Sequence, residues 1–461
     1  MDVLKIDKSF NKKRQFFDEG KTKGYEFRKE NLIKLKNVIK KYESEIMEAL
    51  YLDLHKPAFE AFTSEIGILY EEIRYTLKHL KGWMKPKRVH TSFVLHPSSS
   101  YLYSEPLGVT LIIGPWNYPF QLLFAPLVGA IAAGNCAILK PSDQTKHISN
   151  LVAKIIQETY EDNYISVVQG PGSIIGSHLI QRFPFNHIFF TGSPSVGKKI
   201  LSMAADTLTP VTLELGGKSP VIVHKDANID ISARKLTWAK FFNAGQTCVC
   251  PDYLLIHESI KDVFIEKMIY YIKDFFGENP IESENFARII NKKRYEILEN
   301  WLHEGTLLIG GQCDKNSLFI APTIIDQITP ESSIMQDEIF GPILPVITYK
   351  DINEIVPIIR KNRYPLSLYL YTRNKELEKF VIETFEFGGG CINNGILHLV
   401  NPNLPFGGVG NSGMGRYHGK SSFDAFSHKK SILKTKQWID PPLLYAPYSD
   451  GKLKFVRKIF K

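Results

Sequence analysis

Cys248 and Asn117 are the residues of this chain best placed for nucleophilic chemistry. Cys248 lies in Lys240-Phe241-Phe242-Asn243-Ala244-Gly245-Gln246-Thr247-Cys248-Val249-Cys250-Pro251, behind a small Ala-Gly turn and ahead of a proline, a context that presents a thiol on a loop. Free cysteine is also among the most buried residue types, so by itself Cys248 reads equally as core packing. Asn117, in Pro115-Trp116-Asn117-Tyr118-Pro119, has a backbone restrained by two prolines and a Trp. Its amide suits donation to an oxyanion, or simply satisfies a turn. Lys140-Pro141-Ser142-Asp143 and Phe190-Thr191-Gly192-Ser193-Pro194-Ser195-Val196-Gly197-Lys198 each follow an apolar run. A glycine turn that opens a helix lets backbone N–H groups meet an anion. A carboxylate there can accept ribose hydroxyls, and a lysine tolerates a phosphate. The spacing is not GxGxxG, and Lys199 after Gly197-Lys198 excludes a P-loop, so alone these read also as an ordinary turn and surface charge.

The elements that must position these residues are legible. With 461 residues the chain should form two or three domains, and its 44% apolar and 23% charged content is globular. The weakly charged stretch 107–139 is broken by Gly114, Pro115, Pro119, Pro126, Gly129 and Gly134, so it reads as strand, turn and helix and not as a membrane span. No apolar leader stands at the start. Five cysteines make no CxxC and no metal tetrad, which points to a reducing, cytoplasmic setting without a metal. The net charge of +9 is spread out, with excess in 5–41 and 452–461, and reads as a solvated face and not a nucleic-acid site.

Leu32, Leu35, Ile39, Tyr42, Ile46 and Leu50 recur at spacings of three and four, a buried helical face, and 66–83 repeats the pattern. Residues 86–105 turn to extended chain. From Pro106, short apolar runs alternate with helical stretches: 109–113, 120–133, 136–139, 148–160, 166–168, 174–181, 187–190, 196–205 and 211–215. That alternation predicts βαβ units and a parallel sheet, which binds nucleotides at its carboxyl ends. A crossing at 214–220 leads to a second alternating region reaching about Cys391. The last segment is rich in glycine from Gly407 to Gly415, as a backbone pressed against a ligand or neighbour would be.

Taken in order, Asn117, Lys140, Gly192, Glu214, Cys248, Glu338-Ile339-Phe340-Gly341-Pro342 and Pro405-Phe406-Gly407-Gly408 resemble the aldehyde dehydrogenase superfamily. Ser104-Glu105-Pro106-Leu107-Gly108, 407–415 and Tyr417-His418-Gly419-Lys420 resemble its shorter, class 3-like branch of fatty and aromatic aldehyde dehydrogenases. The resemblance covers about 42–448. It implies an α/β fold of two Rossmann-like open-sheet domains with a small β oligomerisation extension. Residues 1–85 and 106–213 would bind NAD or NADP, 214–391 would carry the thiol, 86–105 and 392–440 would bridge subunits and line the substrate entrance, and 441–461 would be a tail. It implies Cys248 as nucleophile, Asn117 and the Cys248 N–H as oxyanion donors, and Glu214 as the base, with Glu338 at the nicotinamide ribose or as the alternative base. Trp116, Lys140, Ser142, Asp143, Gly192, Ser193, Val196, Leu215, Glu338 and Phe340 would contact the cofactor. Tyr118, Trp238, Phe406 and His398 would face an apolar aldehyde, and the protein would be a homodimer.

Two positions depart from the branch. Cys250, usually small or apolar there, either packs or acts as a resolving thiol for Cys248. Asp143 replaces the more usual glutamate, which leaves the balance between NAD and NADP open. The basic, apolar tail 453–461 stops too soon for the hydrophobic anchor of membrane-bound relatives, and is expected to be frayed or docked rather than interfacial. A cofactor-free thiol hydrolase is the competing enzyme class, but it would not need the glycine and lysine motifs at the strand ends. A binding protein that kept the fold would not need the catalytic set.

Overall fold

The computed structural model describes residues 3–438, 440 and 442–460; of the segments delimited above, Met1, Asp2, Ile439, Pro441 and Lys461 lie outside the described residues. The chain opens on helices Val3–Asp18, Tyr25–Lys41, Glu43–Leu54 and Gly67–Trp83, with a π-helical turn at Phe62–Ile66 before the last. Leu32, Leu35, Ile39, Tyr42, Ile46 and Leu50 are all buried, but the expected single helical face is divided between two helices that meet at Tyr42. The extended segment then forms β1 (Lys87–Val89) and β2 (Ser98–Pro106).

The predicted alternation follows. Strands β3 (Val109–Ile113), β4 (Cys136–Lys140), β5 (Ile165–Val167), β6 (His187–Thr191) and β7 (Val211–Glu214) are parallel, in the order β7-β6-β3-β4-β5. Every residue of β3, β4 and β6 is buried, so both faces of these strands are covered, and their sequences are accordingly apolar runs and not alternations. Helix Gln121–Ala133 is buried along its whole length, which its near-total lack of polar side chains permits. The chain runs outward from β3 through β4 and β5, then starts again at β6 on the other side. The crevice beyond the carboxyl ends of β3 and β6 is therefore a topological switch point, where open α/β sheets bind ligands.

A second sheet takes up β8 (Pro220–Val223), β9 (Tyr253–His257) and β10 (Thr306–Ile309). After a small hairpin, β11 (Cys313–Asp314) with β12 (Phe319–Ile320), it adds β13 (Thr323–Asp326), β14 (Ile343–Tyr349), β15 (Ser367–Tyr371) and β16 (Gly389–Ile392). Its order is β10-β13-β14-β9-β8-β15-β16, parallel except for the β10 edge. Strands β10 to β13, each four residues or shorter, were not read from the sequence. The glycine-rich segment returns to the first sheet, where β17 (Gly413–Met414) lies antiparallel to β7. Finally β18 (Ser427–Thr435) pairs antiparallel with β2 from Pro106 to Ser98, making a separate β extension.

The tail is a helix, Asp450–Ile459, and not a frayed end; Lys452 Nζ ties it to the Tyr445 and Pro447 carbonyls at 2.8 and 3.1 Å. None of its residues is buried, so it is not docked either. Among the described residues no helix is long and apolar enough to cross a membrane.

Candidate active site

The loop that presents Cys248 begins where helix Ile229–Phe241 ends. Asn243, Ala244 and Gly245 have φ of 53°, 51° and 73°, three consecutive residues in the left-handed region. For Asn and Ala this is uphill, and such conformations persist only where the surroundings over-determine them. They are over-determined here. Asn243 N–H donates to Glu60 Oε2 at 3.0 Å, and Asn243 Nδ2 donates to the Asn117 and Gln246 carbonyls at 3.1 Å each. Gln246 Nε2 donates to the Asn243 and Arg288 carbonyls, and its Oε1 accepts from Ile290 N–H. A Cβ on Gly245 would stand 2.2 Å from the Gly341 carbonyl oxygen, so only glycine fits. The Ala-Gly turn that reads as flexible in the sequence is thus rigidly braced, and it leaves Cys248 half-buried at the edge of a cleft.

Asn117 is 3% exposed and follows β3. Its Nδ2 donates to the Gln246 carbonyl at 3.1 Å, which uses one amide hydrogen and leaves the other. Neighbouring Tyr118 shares a 2.6 Å hydrogen bond with Thr247 Oγ1, so both strand-end residues are pinned to the thiol loop. Cys250, by contrast, points inward: it is buried, its Sγ lies 3.4 and 3.3 Å from the Lys240 and Pro251 carbonyls, and burial pushes its thiol up to about 11.

Two carboxylates bear on Cys248. Glu214 ends β7, with Gly413 of β17 as its register partner. It is 3% exposed, and neither carboxylate oxygen has a hydrogen-bond partner among the described residues. Burial holds its carboxyl well above the usual range, with Arg416 opposing. Glu338 rests against the second crossing: a Cβ on Gly216 would stand 2.0 Å from its Oε2. Burial and then Asp252 push it up to about 8, while the Gly217 N–H, Arg294 and Lys218 pull it back. The Cys248 thiol is itself held high, by burial first and then by Glu338 and Glu214.

The remaining sequence candidates gather at the carboxyl ends of the first sheet. Lys140 Nζ, buried, donates to the Pro141 carbonyl at 2.8 Å and lies 3.9 Å from Asp143 Oδ1, with Gly172 beside both. Ser142 accepts from Gln144 N–H. Gly192 N–H donates to the Glu214 carbonyl, and Ser193 caps helix Pro194–Ala205, whose exposed Val196 faces out. Leu215 packs so closely on Gly197 that a Cβ there would stand 2.7 Å from Leu215 Cδ2. Trp116 meets Phe340 edge-on at 5.3 Å. A lysine–carboxylate pair, a helix N-terminus and an aromatic pair strung along a switch-point crevice fit a dinucleotide.

On the other side of the thiol is a cleft of about 140 Å³. Tyr118, Trp238, Phe242, Phe406, Leu397 and Val400 line it together with Cys248. His398 is not on that wall. It lies behind Phe406, ring centroids 6.0 Å apart, with Nδ1 3.5 Å from Cys391 Sγ and Nε2 3.3 Å from Ser367 Oγ, and burial pushes it down to about 4. The histidine that does line the cleft is His418, set by Glu72 at 3.4 Å. It belongs to the Tyr417-His418-Gly419-Lys420 motif, which was the available signal.

Known proteins are similar to this chain in sequence and fold. The family model described as "Aldehyde dehydrogenase family" matches residues 2–432. A 4,4'-diaponeurosporen-aldehyde dehydrogenase of Staphylococcus aureus is 46% identical over 99% of both chains. An aldehyde dehydrogenase of Rattus norvegicus, described as dimeric and NADP-preferring, is 41% identical over 93% of this chain and 94% of its own. A substrate-bound structure of Staphylococcus aureus AldH superposes with a TM-score of 0.96 at 47% identity, covering 99% of each chain. The family model over nearly the whole chain and relatives above 40% identity show that the chain belongs to the aldehyde dehydrogenase family, oxidoreductases that use NAD or NADP.

Proposed function

We propose that this enzyme oxidises apolar aldehydes, of medium or long aliphatic chain or aromatic, to the carboxylic acids through a covalent thioester on Cys248. The observation that carries the reading is the aromatic and aliphatic cleft that ends on the thiol. That the Staphylococcus aureus relative is named for 4,4'-diaponeurosporen-aldehyde supports the same substrate class.

Cys248 Sγ, once deprotonated, bonds to the carbonyl carbon. The Asn117 amide hydrogen not engaged by Gln246, with the Cys248 N–H, holds the oxyanion; one such donor is worth about 10²–10³-fold in rate. NAD or NADP, held in the crevice by the residues named below, would supply the hydride acceptor needed to reach the thioester. Glu214 takes a proton from the water that attacks the thioester, and the Cys248 thiolate departs. Glu214, buried beside the thiol with neither carboxylate oxygen hydrogen-bonded among the described residues, is the base preferred in this reading, and Glu338 is the alternative. Lys140, Ser142, Asp143, Gly192, Ser193 and Val196 would hold the adenosine and pyrophosphate, and Trp116, Leu215, Glu338 and Phe340 the nicotinamide end. Residues 1–85 with 106–213 then serve as the cofactor domain, 214–391 as the thiol domain and the β extension as a dimer contact, in keeping with the dimeric rat relative. Five free cysteines suit a cytoplasmic setting.

The test is a panel of aliphatic and aromatic aldehydes assayed for NADH and NADPH, with and without CoA. Reduced cofactor with apolar aldehydes, independent of CoA and lost in Cys248→Ala, is expected. Turnover only of small polar aldehydes, or a requirement for CoA, would replace the substrate or the acceptor in this scheme.

A further inference from the structure

Both halves of the proposed oxyanion hole stand on one short stretch of the N-terminal helices, residues 56–65. Lys56 Nζ and Glu65 Oε1 form an ion pair at 2.6 Å, with both side chains fully shielded from solvent. Lys56 Nζ also donates to the Asn117 carbonyl at 3.0 Å and lies 4.2 Å from the centre of the Tyr118 ring. The other Glu65 oxygen, Oε2, accepts from Phe120 N–H at 3.0 Å and Gln121 N–H at 2.9 Å. The pair therefore grips residues 117–121 at both ends, by the carbonyl at the start and by two amides where helix Gln121–Ala133 begins. Glu60, between them, takes the Asn243 N–H at 3.0 Å, and the Asn243 side chain returns to the Asn117 carbonyl at 3.1 Å.

Two features set this pair apart from ordinary packing. Glu65 sits in the π-helical turn Phe62–Ile66, a widened turn that is rare and recurs at functional sites. A buried ion pair is also a poor stabiliser, because desolvating two charges costs about what their attraction returns and apolar replacements often do as well. What such a pair supplies is direction: an ammonium with a fixed carboxylate partner holds one carbonyl in one place.

We propose that Lys56 and Glu65 are positioning residues for aldehyde oxidation, holding the Asn117 amide at the oxyanion by clamping the peptide that carries it. The inference rests on the reading of Asn117 as oxyanion donor. Misplacing a catalytic group by about 1 Å costs about 10²-fold in rate, which is the scale of effect expected.

The experiment is a double-mutant cycle read as the first-turnover formation of NADH from decanal at saturating NAD and aldehyde. Asn117→Ala should slow it by about 10²–10³-fold. Lys56→Met should slow it by about 10²-fold. The double variant should be within about 3-fold of Asn117→Ala alone, because Lys56 acts through Asn117 and coupled residues are not additive. Losses that multiply, or a Lys56→Met rate close to wild type, overturn the positioning role while leaving Asn117 its own. An Asn117→Ala rate close to wild type overturns the reading of Asn117 and this inference with it. Glu65→Gln keeps the volume and an oxygen for Phe120 and Gln121, and runs the same cycle where Lys56→Met does not give folded protein by circular dichroism.

Discussion

Asn117 Nδ2 donates to the Gln246 carbonyl at 3.1 Å, across a sequence separation of 129 residues. This bond joins the end of a first-sheet strand to the turn that launches the thiol, so the oxyanion donor and the nucleophile share one frame. Gln246 keeps a second donor, Asn243 Nδ2, also at 3.1 Å. Removing the Asn117 amide should therefore cost chemistry far more than stability. For Asn117→Ala, kcat is expected to fall by about 10²–10³-fold, while urea unfolding shows a loss on the order of 1 kcal/mol. A stability loss large enough to explain the activity loss would assign Asn117 to the fold alone.

Glu214→Gln should separate the two half-reactions. The thiol and its oxyanion donors are untouched, so one equivalent of NADH should appear in a burst; steady turnover, which needs the base, should drop by about 10²–10⁴-fold. Because burial holds the Glu214 carboxyl well above the ordinary range, with Arg416 opposing, turnover should go on rising with pH beyond the point where an ordinary carboxylate has ionised. An unperturbed carboxylate would instead give a flat profile above about pH 6. If Glu338→Gln, and not Glu214→Gln, leaves the burst and abolishes turnover, the roles are exchanged.

Stability should move against activity over part of that range. Burial raises Glu60 to about 7 and Glu338 to about 8. A carboxylate whose pKa is higher in the fold than in the unfolded chain binds its proton more tightly when folded. Its contribution is therefore complete below about pH 4.5 and is lost as pH rises through the folded value. The buried imidazoles His187 and His398, pushed down to about 3 and 4, act in the opposite sense below about pH 6.5, and Lys13, pushed down to about 8, does so above about pH 8. Between pH 6.5 and 8 the carboxylates prevail. The melting temperature of Glu60→Gln minus that of wild type should grow from about pH 4.5 to about 7 and level off above it in differential scanning fluorimetry. A constant difference would show that Glu60 does not titrate there.

The inward orientation of Cys250 decides between the two roles open to it. Its Sγ is held between the Lys240 and Pro251 carbonyls, so packing is favoured over resolution of an oxidised Cys248. Intact-mass analysis after peroxide is expected to show added oxygens on Cys248 that reductant does not fully remove, and Cys250→Ala should oxidise alike. A reducible Cys248–Cys250 crosslink would restore the protective role.

Much of this site is legible in the residues because its parts are local. A strand ending in Pro-Trp-Asn-Tyr-Pro, a glycine turn before a helix and a thiol behind Ala-Gly are each written in a few neighbouring positions. Lys56, Glu60 and Glu65 were not legible as site residues. They lie in a stretch with no motif that marks them, and only the long-range approach to Asn117 and Asn243 ties them to the site. His398 was expected at the cleft in place of His418 for the same reason: Leu397-His398-Leu399 and Tyr417-His418-Gly419 each put an imidazole beside apolar side chains, and only packing shows which ring meets the cleft.

The chain by itself determined the α/β alternation, since buried parallel strands demand short apolar runs and the helices between them a three-and-four stripe. The order of the thiol, the amide and the carboxylates along the chain also carries the family resemblance from which their proposed roles come. Tertiary structure alone decided their electrostatics. Glu214 carries the same carboxyl group as any surface glutamate, and what makes it a candidate base is a site that buries it and leaves both oxygens without a donor among the described residues. Burial and partnership are properties of the assembled neighbourhood, built from segments more than a hundred residues apart, and no local run of residues encodes them.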